Sequence, residues 1–172
     1  MTLGILGLGR VGEKVARYGQ AFEMQVGAFD PFRDGWIAGV RRFDTVESLL
    51  SWSEVASVHL PLNRATRGLL GEELLRLLPA GAWLVNTSRG ALVDESGLVN
   101  LLESGHLAGA AVYVLESEQL ADRRELSPLL SYARTHDNLL VTPHLAGATF
   151  ESMRATEVFV ARKLRTFLAE KT

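Results

Sequence analysis

Short apolar runs that alternate with amphipathic segments constrain this chain more than any other feature. Leu3–Leu6, Met24–Phe29, Val55–Leu60, Ala82–Asn86, Ala108–Leu115 and Asn138–Thr142 read as strands. Between them the pattern predicts helices over Arg10–Phe22, from Thr45 through Trp52, and over Gly71–Leu78, Glu95–Glu103 and Phe150–Leu168. Asp94 is a good N-cap for the fourth of these, and Asp30-Pro31 ends the second strand. In the first helix Val11, Val15, Ala16 and Tyr18 are expected to face inward. Strands apolar on both faces and separated by helices imply a mostly parallel sheet covered on both sides. With right-handed crossovers, the expected fold is α/β: a doubly wound Rossmann-type sheet with helices on both faces. One domain over residues 1–172 is expected. The connection Ser117–Asp137, polar early and helical later, is expected to be functional or an oligomer contact.

Composition removes several function classes. The 172 residues carry 18 basic and 20 acidic side chains, without the basic excess a nucleic-acid binder needs. The chain has no cysteine, which excludes disulfides, thiolate metal sites and cysteine nucleophiles together. No histidine pair has zinc-site spacing, so no metal is expected. The longest uncharged stretch, Asn138 to Phe150, is too short to span a bilayer as a helix. Arg10 interrupts the apolar start, which therefore does not read as a signal peptide, and a cytoplasmic location follows by default. Trp36, Trp52 and Trp83 read as packing residues, and His106 and His136 as solvated turn residues.

Three clusters could carry chemistry. In Gly7-Leu8-Gly9-Arg10-Val11-Gly12, between a predicted strand and a predicted helix, the first glycine permits a tight turn. The second lets backbone approach a pyrophosphate, and the third packs helix on strand. The phosphates would meet the free N–H groups at the helix start. Asp30, at the end of the second strand, can bind both adenosine ribose hydroxyls and repel a 2′-phosphate. That favours NAD over NADP, and the nearby Arg33 softens the preference. Asn86-Thr87-Ser88-Arg89-Gly90 follows another strand end, where ligands bind in open α/β sheets, and Arg89 offers a planar fork for a carboxylate or carbonyl. Thr142-Pro143-His144 follows a third strand end. His144 can act as a proton donor if a carboxylate, Glu116 or Glu118, holds its far nitrogen. His59 is read two ways, as a contact to the nicotinamide side of a cofactor or as a buried capping histidine.

In order, these pieces resemble the nucleotide-binding domain of the D-isomer-specific 2-hydroxyacid dehydrogenases. The resemblance rests on Gly4 to Gly12, Val58-His59-Leu60-Pro61-Leu62 with Thr66 to Leu70, and Leu84 to Glu95. Gly105 to Ala111 and Thr142-Pro143-His144 complete it. It implies that Arg89 binds a 2-oxo acid, that His144 exchanges the proton with its 2-oxygen, and that Glu118 partners His144, with Glu116 as the rival. For the cofactor, NAD, it implies Gly7, Gly9, Arg10, Val11, Gly12 and Asp30, then Leu60, Pro61, Thr87, Ser88 and Arg89. Tyr113, His144, Ala146 and Gly147 complete that set. The implied partners are a small 2-oxo or 2-hydroxy acid and a second copy in a homodimer, with no nucleic acid and no membrane.

Two departures stand out. The family usually has an aspartate where this chain has Tyr113, which offers a hydroxyl but no charge to the nicotinamide amide. The chain also begins at the first Rossmann strand, without the family's substrate domain, and is expected to be an excised domain with weak or no turnover alone. The alternative from another class is a non-enzymatic NAD(H)-sensing or scaffold module. An S-adenosylmethionine-dependent methyltransferase would explain the glycine loop alone.

Overall fold

The computed structural model describes residues 1–116, 118 and 127–170. Two compact units are present, Met1–Thr142 and Pro143–Thr172.

Among the described residues of the first unit the six apolar runs and one further segment form seven strands: β1 (Thr2–Leu6), β2 (Gln25–Phe29), β3 (Val40–Arg42, the further segment), β4 (Val55–Val58), β5 (Ala82–Asn86), β6 (Leu107–Val112) and β7 (Leu139–Val141). They form one sheet in the order β3-β2-β1-β4-β5-β6-β7, and every pairing is parallel. The helices are α1 (Arg10–Ala21), α2 (Val46–Trp52), α3 (Glu72–Leu75), α4 (Glu95–Glu103) and α5 (Pro128–Ala133). The strand order reverses between β1 and β4, so the connections after these strands diverge and leave a crevice at their carboxyl ends.

Two apolar clusters hold the layers. Ile5, Leu8, Ala16, Val26, Ala28 and Val40 pack β1, β2 and β3 under α1. The larger cluster joins β4 to β7 with α2 to α5 through residues such as Leu49, Leu84, Leu98, Leu101 and Leu129. The expected caps form: Thr45 accepts the Ser48 N–H at 3.1 Å, and Asp94 accepts the Ser96 N–H at 3.1 Å.

Several local expectations are corrected. The inner face of α1 is Gly12, Ala16 and Gly19, with Val15 partly buried, whereas Val11 and Tyr18 are exposed. The helix lies so close to the sheet that a Cβ at Gly19 would stand 2.7 Å from the Leu3 side chain, leaving no room for larger residues there. Strand β3 escapes the apolar pattern because only Val40 is buried. Arg41 instead lies over the rings of Phe43 and Trp52, at 4.7 and 5.8 Å from their centroids. β4 stops at Val58, α3 is a single turn, and β6 runs from Leu107 only to Val112. Trp36 and Trp52 pack against the core, but Trp83 is 48% exposed, because side chains alternate along β5 and Trp83 points away from buried Ala82 and Leu84. His106 and His136 are not merely solvated. His106 bonds the Leu78 carbonyl at 3.0 Å, and His136 stacks on Tyr132 at 3.9 Å between centroids. Of the connection Ser117–Asp137, Ser117 and residues 119–126 lie outside the described residues, and α5 forms its later part.

The second unit consists of a turn over Pro143 to Thr149 and a 20-residue helix, α6 (Phe150–Ala169), capped by the Thr149 hydroxyl on the Ser152 N–H at 3.2 Å. Among the described residues no helix is long and apolar enough to cross a membrane.

Candidate functional site

The candidate residues of the first unit gather at one edge of the sheet. Gly7 follows β1, Asp30 follows β2, Leu60 and Pro61 follow β4, Thr87 to Arg89 follow β5, and Tyr113 follows β6. All strands are parallel, so their carboxyl ends share that edge, beside the reversal of strand order.

The glycine loop is built by close approaches. Gly7 has a φ of +90°, and a Cβ there would stand 2.7 Å from the His59 carbonyl oxygen, so the turn requires glycine twice over. A Cβ at Gly12 would strike the Gly7 carbonyl. Gly9 is different, since nothing lies within 4 Å of where its Cβ would be. It precedes α1, whose first turn has no side-chain cap, leaving N–H donors and open space for an anion. That arrangement fits a dinucleotide pyrophosphate.

Asp30 is half-buried. Its Oδ2 accepts the Leu8 N–H at 2.8 Å and its Oδ1 accepts the Phe32 N–H at 3.0 Å. Each carboxylate oxygen can accept further bonds, so the group remains suited to a ribose diol. Arg33 does not lie loose beside it. Its guanidinium donates to the Leu8 carbonyl and, at 2.9 Å, to Glu13. Arg17 takes the other Glu13 oxygen at 2.7 Å, and the two guanidiniums hold the Glu13 carboxyl below its ordinary pKa.

After β5, buried Asn86 organises the turn that presents Arg89. Its Oδ1 accepts the Ser88 N–H at 3.0 Å, and its Nδ2 donates to the Arg89 carbonyl at 3.0 Å. Ser88 donates its hydroxyl to the Val58 carbonyl at 2.7 Å, tying this turn to the end of β4. Arg89 is exposed, with Nη1 on the Ser88 carbonyl at 2.6 Å. Gly90 is where the backbone of Leu115 and Glu116 crosses, and a Cβ there would collide with it. The Arg89 turn and the segment leading to Glu118 are thereby brought together. Glu118 folds back so that its Oε2 accepts the Leu115 N–H at 3.2 Å, while the Glu116 N–H donates to Glu95 at 2.8 Å. Tyr113, its N–H on the Asn86 carbonyl at 3.0 Å, shares a small cavity of about 50 Å³ with Thr87, Val85 and Thr142.

His59 is half-buried, its Nε2 2.8 Å from the Ser57 hydroxyl, and burial pushes its pKa below the ordinary value. His144, Ala146 and Gly147 belong to the exposed turn of the second unit, where Leu145 N–H bonds Pro143 and Ala148 N–H bonds Leu145. Three contributors escaped sequence reasoning: Glu13, Asn86 as an organiser, and buried Glu95, which holds Glu116 and, at 2.7 Å, the Ser127 hydroxyl. Glu95 follows the N-cap and reads as an ordinary first-turn acid, so only the fold shows where its carboxylate points.

Residues 1–146 match the model of the D-isomer specific 2-hydroxyacid dehydrogenase NAD binding domain, and the chain belongs to that family. It is 39% identical to a glyoxylate reductase of Aeropyrum pernix over 172 residues, covering 99% of this chain and 49% of the relative. A D-isomer specific 2-hydroxyacid dehydrogenase from Xanthobacter autotrophicus, solved with NADPH and MES, superposes with a TM-score of 0.83 at 35% identity, over 99% of this chain and 67% of that one. D-lactate dehydrogenase from Aquifex aeolicus, solved with NAD and lactic acid, gives a TM-score of 0.84 at 29% identity, over 99% of this chain and 54% of that one. The chain spans about half or less of the length of the curated relatives it matches.

Proposed function

We propose that this chain binds NAD(H) along the carboxyl-terminal edge of its sheet and serves a 2-hydroxyacid dehydrogenase reaction. One observation carries the reading: Asp30 is bonded to the glycine loop beside the strand-order reversal, with open space over Gly9. A pyrophosphate is bound by the N–H groups of Gly9, Arg10, Val11 and Gly12, and the adenosine ribose by Asp30. Leu60, Pro61, Thr87, Ser88, Tyr113, Ala146 and Gly147 complete the cofactor contacts. NAD(H), when bound, supplies the hydride exchanged with C2 of a 2-oxo or 2-hydroxy acid. Arg89 holds that acid through its planar guanidinium. His144 gives a proton to the 2-oxygen during reduction and takes it back during oxidation, with Glu118 as its carboxylate partner. A cytoplasmic homodimer belongs to the same reading, and sedimentation of the purified chain checks the dimer.

Calorimetric titration with NADH, with NADPH as control, tests the cofactor assignment. Binding that prefers NADH supports it, and the absence of NADH binding overturns it. In a protein that carries this sequence together with a substrate domain of the family, His144→Ala abolishes 2-oxo acid reduction and leaves NADH affinity intact. Turnover that survives that change refutes the role of His144. Tyr113, in place of the family's aspartate, favours a second reading as a non-enzymatic NAD(H)-responsive module. Binding of NADH without reduction of any 2-oxo acid in that two-domain protein would establish it.

A further inference from the structure

The Arg33 guanidinium is gripped on three sides. Nε donates to the Gly35 carbonyl at 3.0 Å, Nη1 to the Leu8 carbonyl, and Nη2 to Glu13 Oε2 at 2.9 Å. Its side chain is only 22% exposed, against 67% for Arg17 on the other Glu13 oxygen. Leu8 is also the residue whose N–H donates to Asp30. Asp30 and Arg33 therefore hold the two polar backbone groups of one glycine-loop residue, Leu8, which anchors the carboxylate and the guanidinium to the same loop. A ribose bonded to Asp30 brings any 2′-phosphate into the neighbourhood of Arg33. An arginine in that place, left to itself, is a receptor for the phosphate, because its fork matches the oxygens and its charge is permanent.

Glu13 changes that outcome. It lies in the first turn of α1, 20 residues before Arg33, and its carboxylate occupies the Nη2 edge of the guanidinium. Arg17, one helical turn further on, binds Glu13 Oε1 at 2.7 Å and fixes the carboxylate in this orientation. Three of the five guanidinium N–H groups are committed, to Glu13 and to the Leu8 and Gly35 carbonyls, and an Arg33 that turns its fork toward a phosphate gives these bonds up. The vacated Glu13 charge would then face the same phosphate. Building on the cofactor reading above, we propose that Glu13 is a specificity-determining residue: it holds Arg33 on the glycine loop, withholds the guanidinium from a 2′-phosphate and so directs the site to NADH. The sequence places an arginine after the ribose-binding aspartate, as a NADP-accepting site would, and the structure assigns its partner.

Titration of the intact chain with NADH and with NADPH reads this as a ratio of affinities. The wild-type chain prefers NADH. Glu13→Gln, which keeps the shape and removes the charge, narrows the preference by about ten- to a hundredfold, the worth of one charge-assisted bond. Glu13→Ala does the same, so a folding defect in either variant alone does not decide the matter. Arg33→Ala leaves the wild-type ratio unchanged, and Glu13→Gln with Arg33→Ala loses the gain in NADPH binding. The proposal is overturned if the Glu13 variants bind NADH and keep the wild-type ratio, or if the double variant keeps the gain. A loss of NADPH binding in Arg33→Ala alone also overturns it, because Arg33 would then already serve the phosphate. Failure of the wild-type chain to bind NADH is a separate result, which removes the cofactor reading and this proposal together.

Discussion

The carboxylate of Asp30 accepts the backbone N–H of Leu8 at 2.8 Å, joining the end of β2 to the glycine loop that follows β1. The bond does two things. It satisfies a donor in a loop whose residue 8 side chain is fully buried, and it sets the carboxylate beside the space over Gly9. A residue read from sequence as a ligand contact is thus also part of the loop's own structure.

Asp30→Ala should therefore weaken NADH binding by about ten- to a hundredfold, since it removes charge-assisted bonds to the ribose and loosens the loop. Calorimetry measures the affinity, and a variant with wild-type affinity would sink the ribose assignment. Asp30→Asn should retain the fold better, because its amide oxygen can still accept the Leu8 N–H.

Gly7→Ala should destabilise the first unit. The left-handed backbone at φ +90° alone costs roughly 1–2 kcal/mol with a Cβ, and the His59 carbonyl must also give way. A fall of several degrees in Tm is expected. Gly9→Ala, with open space around it, should leave Tm nearly unchanged while impairing dinucleotide binding.

Glu95→Gln should lower stability by about 1–3 kcal/mol, because the buried bond from the Ser127 hydroxyl and the partly buried one from the Glu116 N–H lose their charged acceptor. Denaturant titration reads the change. A midpoint equal to wild type would show that this carboxylate does not hold the two ends of the connection.

His59 should make stability sensitive to mild acid. Burial lowers its folded-state pKa below the ordinary 6.5, so the unfolded chain binds the proton more readily. Its contribution is complete above about pH 6.5 and is lost as pH falls through the lower folded-state value. Denaturation midpoints of wild type and His59→Gln, compared from about pH 7.5 to pH 5, should show a shallower acid slope in the variant. Parallel curves would refute the assignment.

Periodicity made the strand-helix alternation and the parallel sheet legible, because burial on both faces leaves a continuous apolar run. It misjudged α1, where contact with the sheet is made by Gly12, Ala16 and Gly19 and the larger Val11 and Tyr18 face solvent. Close packing selects small residues, and a hydrophobicity pattern gives them little weight. It missed β3 for a related reason: two arginines stand at an edge, where solvent is near and aromatic faces accept the cations.

The order of elements, the glycine loop, the aspartate after β2 and the strand ends that carry Arg89 and Tyr113 were all readable from the sequence. These are matters of local pattern, and chain connectivity brings them to one sheet edge once the strands are parallel. Tertiary structure alone decided what each polar group does there: that Asp30 grips Leu8, that Glu13 restrains Arg33, that Asn86 shapes the Arg89 turn, and that Glu95 ties Glu116 to Ser127. Those partners lie three to 32 residues apart. Hydrogen bonds depend on distances of a few tenths of an ångström, and only the packed fold supplies them.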